Sequence, residues 1–376
     1  MEGLYIHVPF CKSKCNYCDF YSKPVNGDGL CLDIKNYSLA LKKHIRNLSH
    51  LLKKYTFDTI YFGGGTPSIL GEELALIFEE IKNNFNIAKN YEATFEANPE
   101  SITPSLAKSC FEAGFNRVSV GLQSAIDKEL SLLGRIHTKK DFEKGLDILK
   151  SEGFSDISAD IMLGIPNQTM KTLKETLDFI LSLDLTHISA YGLKIEEGTP
   201  FYKNLDPLSL ANEKEQAEFY LATVEKLQKG GFNQYEISNF AKEGFISRHN
   251  YKYWTGENYL GLGPFAYSYM ENTRFFINSD IQNFEKAENI QNVIEIEERL
   301  TEKDKLFEYI MLRLRLKEGI SLSYIEKSSP TKAKPLLEKC KKLQTEGLGI
   351  LEEDRFYLTP QGFLLSNSVI NYLEIN

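Results

Sequence analysis

Cys11, Cys15 and Cys18 lie in the segment Tyr5-Ile-His-Val-Pro-Phe-Cys11-Lys-Ser-Lys-Cys15-Asn-Tyr-Cys18, a C-x3-C-x2-C spacing. Thiolates are the soft ligands that iron–sulfur clusters require, and a four-iron four-sulfur (4Fe-4S) cluster normally takes four of them. Three closely spaced cysteines therefore suggest a cluster with one iron left open to chelate a small molecule. Two plainer readings compete. A structural zinc site prefers four protein ligands in tight C-x2-C pairs, and Cys31, Cys110 and Cys340 are each isolated. A disulfide framework belongs to small secreted chains; this one has 376 residues and six cysteines. The cluster is the preferred reading.

Further candidates recur downstream at regular intervals. Tyr61-Phe-Gly63-Gly64-Gly65-Thr66-Pro67 follows a predicted strand. Its glycines let the backbone approach a ligand closely and expose N–H groups. Glu96 ends the next strand, in Phe95-Glu96-Ala-Asn-Pro99, and Gln123 follows another, in Gly121-Leu-Gln123-Ser124. Arg135 lies in Leu133-Gly-Arg135-Ile-His137, and Asp160 sits inside the apolar run before Met-Leu-Gly164. A charge in such a strand is costly unless paired or functional. Each residue alone reads more readily as structural; their recurrence at successive strands is the argument.

The elements that must position them alternate. Leu4–Val8, Asp58–Phe62, Tyr91–Glu96, Arg117–Val120, Ile157–Met162 and His187–Gly192 read as strands. Tyr37–Lys54, Glu72–Phe85, Ser105–Ala113, Lys139–Ser151 and Thr169–Leu183 carry the i, i+3, i+4 apolar spacing of helices. Repeated βα units predict an α/β protein with a parallel sheet, doubly wound or curled into a barrel, with ligands at the C-terminal ends of the strands. Glu213–Lys229 predicts a long helix, and Asn233–Phe240 an extended segment. From about Leu300, helices over Asp304–Leu316 and Lys332–Glu346 precede a hairpin at Ile350–Leu358, the order of a winged-helix module. Its wing tip carries Glu352, Glu353 and Asp354, so it reads as a packing or partner domain. The expected domains are 1–235, 236–299 and 300–376.

Composition bounds the partners. The chain is 42% hydrophobic and 26% charged, with a formal net charge of −8 and a pI near 5.5. That is an ordinary globular balance, and it argues against a nucleic-acid partner held by an electropositive surface. Met1-Glu-Gly-Leu carries no signal-peptide pattern, and no apolar run has the length of a transmembrane span. The expected location is the cytoplasm.

Taken together, the cluster and glycine motifs resemble the radical S-adenosylmethionine (SAM) superfamily. Nearly the whole chain resembles the oxygen-independent coproporphyrinogen III oxidase family within it. The resemblance implies a partial (β/α)6 radical-SAM barrel with a C-terminal, mostly helical, winged-helix-like module. It implies that Cys11, Cys15 and Cys18 ligate a 4Fe-4S cluster, whose open iron binds SAM for reductive cleavage to a 5′-deoxyadenosyl radical. Tyr5, Gly64, Gly65, Thr66, Glu96, Gln123, Arg135 and Asp160 would contact SAM, and Tyr17 would pack near the adenine.

Within that family, decarboxylating oxidases have a longer N-terminal extension and a further cysteine two residues after the last ligand. Here that position is Phe20. This matches the HemW branch, the haem chaperones, which carry a His-Asn-x-x-Tyr-Trp motif, present as His249-Asn250-Tyr251-Lys252-Tyr253-Trp254. The branch implies haem binding with His249 as candidate iron ligand, and delivery to haem-accepting proteins, membrane-associated respiratory proteins among them. Coproporphyrinogen dehydrogenase activity is not expected. The alternatives are a radical enzyme acting on a porphyrin, by decarboxylation or by methylation with ring opening, and a non-haem radical-SAM enzyme. One departure stands out: where the branch reads Gly-Ala-His-Ser, this chain has Phe265-Ala-Tyr267-Ser268.

Overall fold

The computed structural model describes residues 1–25 and 29–374; the last two residues of the expected third domain lie outside it. Six strands stand side by side in chain order, all parallel: β1 (Glu2–Val8), β2 (Thr56–Gly64), β3 (Asn86–Ala97), β4 (Arg117–Gln123), β5 (Asp156–Leu163) and β6 (His187–Gly192). The crossovers carry α1 (Gly29–Ser49), α2 (Glu73–Asn84), α3 (Pro104–Ala113), α4 (Lys139–Ser151) and α5 (Met170–Leu181). A doubly wound sheet needs a point where strand order reverses. None occurs in this run, so right-handed crossovers keep the helices on one face. The choice left open by composition falls on the barrel-like arrangement.

Strand alternation builds the two faces. In β3, Ala93 and Phe95 join the helix-packed core, while Glu92, Thr94 and Glu96 occupy the alternate positions. Val118, Val120, Ala159, Ile161, Ile188 and Ala190 continue the apolar face. Ser119, Asp160 and Ser189 line the opposite, inner one. Each large apolar side chain buried on the helix face contributes about 1.5–3 kcal/mol, enough to hold a polar lumen open on the other.

Helix boundaries follow caps where caps exist. Thr138 and Asp141 form a capping box that starts α4, and Thr169 and Thr172 do the same for α5. The helix expected over Tyr37–Lys54 instead spans Gly29–Ser49. Its buried stripe, Ile34, Tyr37, Leu41, Ile45 and Leu48, begins before Tyr37, where intervening polar residues hide the period.

The sheet does not stop at β1. β7 (Tyr259–Leu262) pairs with β1 in parallel, and β8 (Tyr267–Met270), β9 (Thr273–Ile277) and β10 (Ile294–Arg299) continue it antiparallel. At the far edge, short strands Asn239–Ala241 and Asn233–Gln234 complete twelve. Residues 236–299 thus contribute to the main sheet. The intervening helices are α6 (Glu213–Lys229) and α7 (Arg248–Thr255).

The C-terminal region has its own core, built on Ile310, Leu314, Ile325, Leu336, Cys340, Leu343 and Phe356. Its order is α8 (Glu302–Arg313), short strand Ile320–Ser321, α9 (Leu322–Ser328), α10 (Pro330–Thr345), then hairpin β11 (Gly349–Glu352) and β12 (Arg355–Leu358). The short α9 is an addition to the expected helix–helix–hairpin, as are the helices Pro360–Leu364 and Ser366–Leu373 that follow the hairpin and pack on the same core. Asp354, at the wing tip, accepts hydrogen bonds from Ser321 Oγ at 2.6 Å and Ser323 N at 2.7 Å. Part of the wing's acidity therefore caps the start of α9.

Candidate functional site

The cluster loop leaves the C-terminal end of β1 and lies against the glycine turn that ends β2. Gly65 N donates to Val8 O at 2.8 Å, and Thr66 N to Phe10 O at 2.7 Å. A Cβ on Gly65 would sit 2.5 Å from Phe10 O, so only glycine allows this contact. The N–H groups of Gly65 and Thr66, expected to face a ligand, instead bind the cluster loop, and that of Gly64 serves Glu96. The glycine turn is a clamp on the cysteines as well as a wall of the site.

Cys11, Cys15 and Cys18 are all free thiols opening on one cavity of about 380 Å³. Cys110 and Cys340 are buried in the two hydrophobic cores, and Cys31 is exposed on α1. Hydrogen bonds reach all three thiols, the backbone N–H of Phe20 serving Cys18. Thr66 Oγ1 donates to Cys11 Sγ at 3.5 Å and accepts from Asn98 Nδ2 at 3.0 Å. Arg135 donates to Asn98 Oδ1 at 2.7 Å, Gly121 O at 2.9 Å and Cys15 Sγ at 3.5 Å. A side chain at Gly121 would meet Arg135 and Gln123 at 2.9 Å. Burial pushes the Cys18 thiol up to about 11 and raises Cys11 too. Metal binding to such thiols would release protons.

Those features fit a three-thiolate cluster: three soft donors on one loop and a hydrogen-bond donor at each sulfur. Among the described residues no three His, Cys, Asp or Glu groups are placed to hold a single metal ion. A cubane cluster asks something different, since its thiolates bind separate irons.

The cavity runs from the thiols into the barrel lumen. It is lined by Tyr17, Gly64, Gly65, Thr66, Glu96, Gln123, Arg135 and Asp160, all singled out in the sequence. Ser119 Oγ donates to both Asp160 oxygens, at 3.0 and 3.2 Å. Burial pushes the Glu96 carboxyl up to about 7, partly offset by the Tyr61 hydroxyl, which donates to Glu96 Oε1 at 2.8 Å. Burial raises Asp160 as well, against hydrogen bonds from Ser189 and Ser119. Two such carboxylates can meet a cationic group, in a lining that also holds the guanidinium groups of Arg117 and Arg135.

Several lining residues were missed. Asn98, two residues after Glu96, has no pattern of its own in the sequence. Tyr61, Ser119, Ser189 and Tyr191 were legible only as inward positions of strands, and Asn250 belongs to a motif assigned to haem. Phe20, 62% exposed, stands among the lining residues beside the cluster loop.

Two expected residues stand outside the lining. Tyr5 lies behind it, its ring against Tyr61 at 6.4 Å and its hydroxyl hydrogen-bonded to His7 Nδ1 at 3.0 Å. His249 is completely buried beneath the lumen. Its Nδ1 is hydrogen-bonded to Thr59 Oγ1 at 2.9 Å and its Nε2 to Tyr253 OH at 2.8 Å. Burial and the nearby Lys252 charge lower it to about 3, so the ring is neutral. The candidate iron ligand therefore has both ring nitrogens engaged and no solvent exposure in this structure. Trp254 packs instead beneath Arg315, 5.6 Å away, tying α7 to the C-terminal region. Tyr267 is 47% exposed and stacks on Phe276 at 5.0 Å on the outer sheet extension. Phe265 has φ of 56°, the left-handed region that favours glycine, and packs edge-on to Tyr21 at 4.6 Å.

Comparison with known proteins identifies the family. The radical SAM superfamily pattern matches residues 5–180, and the HemN C-terminal domain pattern matches residues 300–365. The heme chaperone HemW of Bacillus subtilis is 34% identical, over 98% of each chain. That of Lactococcus lactis is 31% identical, over 98% of this chain and 96% of its own. The coproporphyrinogen III oxidase HemN of Escherichia coli, described as a radical SAM enzyme, shares the fold. Its TM-score is 0.84 at 20% identity, over 99% of this chain and 89% of that one. The chain belongs to the HemW family of radical SAM proteins.

Proposed function

We propose that this protein is a haem chaperone that carries a SAM-coordinating 4Fe-4S cluster and delivers haem to acceptor proteins. One observation carries the reading: three thiols open on a polar lumen in a chain similar from end to end to proteins named heme chaperones. Cys11, Cys15 and Cys18 hold the cluster. When bound, the cluster supplies the electron for reductive cleavage of SAM. Arg135 and Thr66 steady the thiolates by hydrogen bonds. Glu96 and Asp160 accept from the cationic and hydroxyl groups of SAM, Gln123 and the glycine turn shape its pocket, and Tyr17 packs beside it.

Haem is the cargo in this reading, and its acceptors are haem proteins, membrane-associated respiratory proteins among them. Among the described residues no helix is long and apolar enough to cross a membrane.

The test is a haem titration of the anaerobically reconstituted protein, followed by transfer to an apo-haem protein and a coproporphyrinogen decarboxylation assay. A shifted Soret band, transfer, and no decarboxylation are expected. A protein that leaves haem free at micromolar concentration yet converts the porphyrinogen would be a porphyrin-directed radical enzyme instead.

A further inference from the structure

The His249–Trp254 motif is built into the underside of the barrel. The carboxylate of Glu92 accepts from the first N–H groups of α7, Arg248 N at 2.9 Å and His249 N at 3.0 Å. Asp58 pairs with Arg248 and Lys252, each at 3.1 Å. This helix closes the lumen from below, and Asn250 lines its floor.

One contact of this floor leads directly to the SAM pocket. The His249 ring lies nearly parallel to Tyr61, centroids 5.2 Å apart and planes 22° apart. Tyr5 lies on Tyr61 at 6.4 Å and 25°. With both its own nitrogens hydrogen-bonded, His249 is fixed in place, and Tyr61 is left with a defined direction for its hydroxyl. That hydroxyl donates to Glu96 Oε1. We infer that His249 is a positioning residue for SAM binding: through its stack on Tyr61 it aims the hydroxyl that holds the Glu96 carboxylate toward the lumen. The inference rests on the reading of Glu96 as a SAM contact. It gives the His-Asn-x-x-Tyr-Trp segment a role at the SAM site, distinct from iron ligation.

The groups facing Glu96 are the Tyr61 hydroxyl, the Gly64 N–H, the Asp160 carboxyl, and the phenols of Tyr5, Tyr191 and Tyr253. Of these, the Tyr61 hydroxyl and the Gly64 N–H favour the ionised form of Glu96, and Asp160 opposes it. Losing or misdirecting the Tyr61 hydroxyl therefore moves the pH above which Glu96 accepts a cation upward.

The experiment is calorimetric titration of SAM into the reconstituted full chain between pH 6 and 9, with iron content and circular dichroism recorded alongside. Tyr61→Phe should weaken SAM about fivefold to tenfold near neutral pH and shift the binding profile to higher pH. His249→Ala should reproduce both effects. His249→Phe, which keeps a ring against Tyr61, should recover at least part of the affinity. The double variant Tyr61→Phe/His249→Ala should be no weaker than Tyr61→Phe, because both changes act through one hydroxyl. Additive losses would overturn the inference, as would wild-type SAM affinity and pH profile in a folded His249→Ala. If His249→Ala fails to fold, the profile of His249→Phe decides: a loss as large as that of Tyr61→Phe also overturns it. Glu96→Gln separates the two levels. Unchanged SAM affinity there removes the reading of Glu96 itself, whereas a loss there with no effect of His249 removes only the positioning role.

Discussion

Arg135 Nη1 lies 3.5 Å from the sulfur of Cys15, with its other terminal nitrogen held by Asn98 and Gly121. A fixed cation beside one thiolate stabilises the more negative, reduced form of a cluster, since charge and hydrogen bonds at the sulfurs set reduction potential. Arg135→Gln should keep about four irons per chain and lower the potential by roughly 60 mV, the one-electron equivalent of about 1.4 kcal/mol. An electron paramagnetic resonance redox titration reads this directly. An unchanged potential with full iron content would deny the contact any influence on the cluster.

Cluster assembly should depend on one set of cysteines only. Replacing Cys11, Cys15 and Cys18 together by Ala should abolish the brown absorbance and the iron. Replacing Cys31, Cys110 and Cys340 by Ser or Ala should leave iron per folded chain unchanged, at some stability cost for the two buried thiols. Iron lost in the second variant while it remains folded would refute the ligand assignment.

SAM binding should strengthen as pH rises through about 7, where the buried Glu96 ionises. The sign for stability runs the other way. Its folded value lies above the ordinary carboxyl value of 4.5. The free protein is therefore favoured by this group at acid pH and loses that stability as pH rises toward 7. SAM, as a cation, offsets the loss, so its thermal shift should be larger at pH 8 than at pH 6. Glu96→Gln should flatten that difference. A thermal shift independent of pH in the wild type would mean that Glu96 does not meet the ligand's charge.

Exposure narrows the candidates for a haem ligand. His7, His44, His137, His187 and His249 are buried, and His50 is exposed on the connection after α1. Of the phenols, Tyr267 is exposed where the branch usually has histidine. The Soret band of the haem complex should therefore survive His249→Phe, and change with His50→Ala or Tyr267→Phe if iron takes its axial ligand from one of these two exposed groups. Loss of the band in His249→Phe alone would show that α7 opens to release its imidazole.

The sequence by itself determined the chemistry at the mouth of the barrel. Cys11, Cys15 and Cys18 share one short loop, so spacing alone brings them together. The βα alternation was equally legible, because each strand and helix carries its own period; Lys139–Ser151, Glu213–Lys229 and His187–Gly192 are bounded as expected. Strand-end residues such as Glu96 and Gln123 were readable because a parallel sheet brings successive strand ends to one rim.

Tertiary structure alone decided which face of each strand is lumen, and what stands on it. An inward Tyr61 and an outward Phe62 look alike in a string of aromatics, and only strand order puts Tyr61 beside Glu96. His249 shows the limit most clearly. Its partners Thr59 and Glu92 lie 190 and 157 residues away in the chain. No local pattern encodes such contacts. The motif marks His249 as a candidate ligand, and only the packing of α7 against the sheet shows that it is buried with both nitrogens hydrogen-bonded.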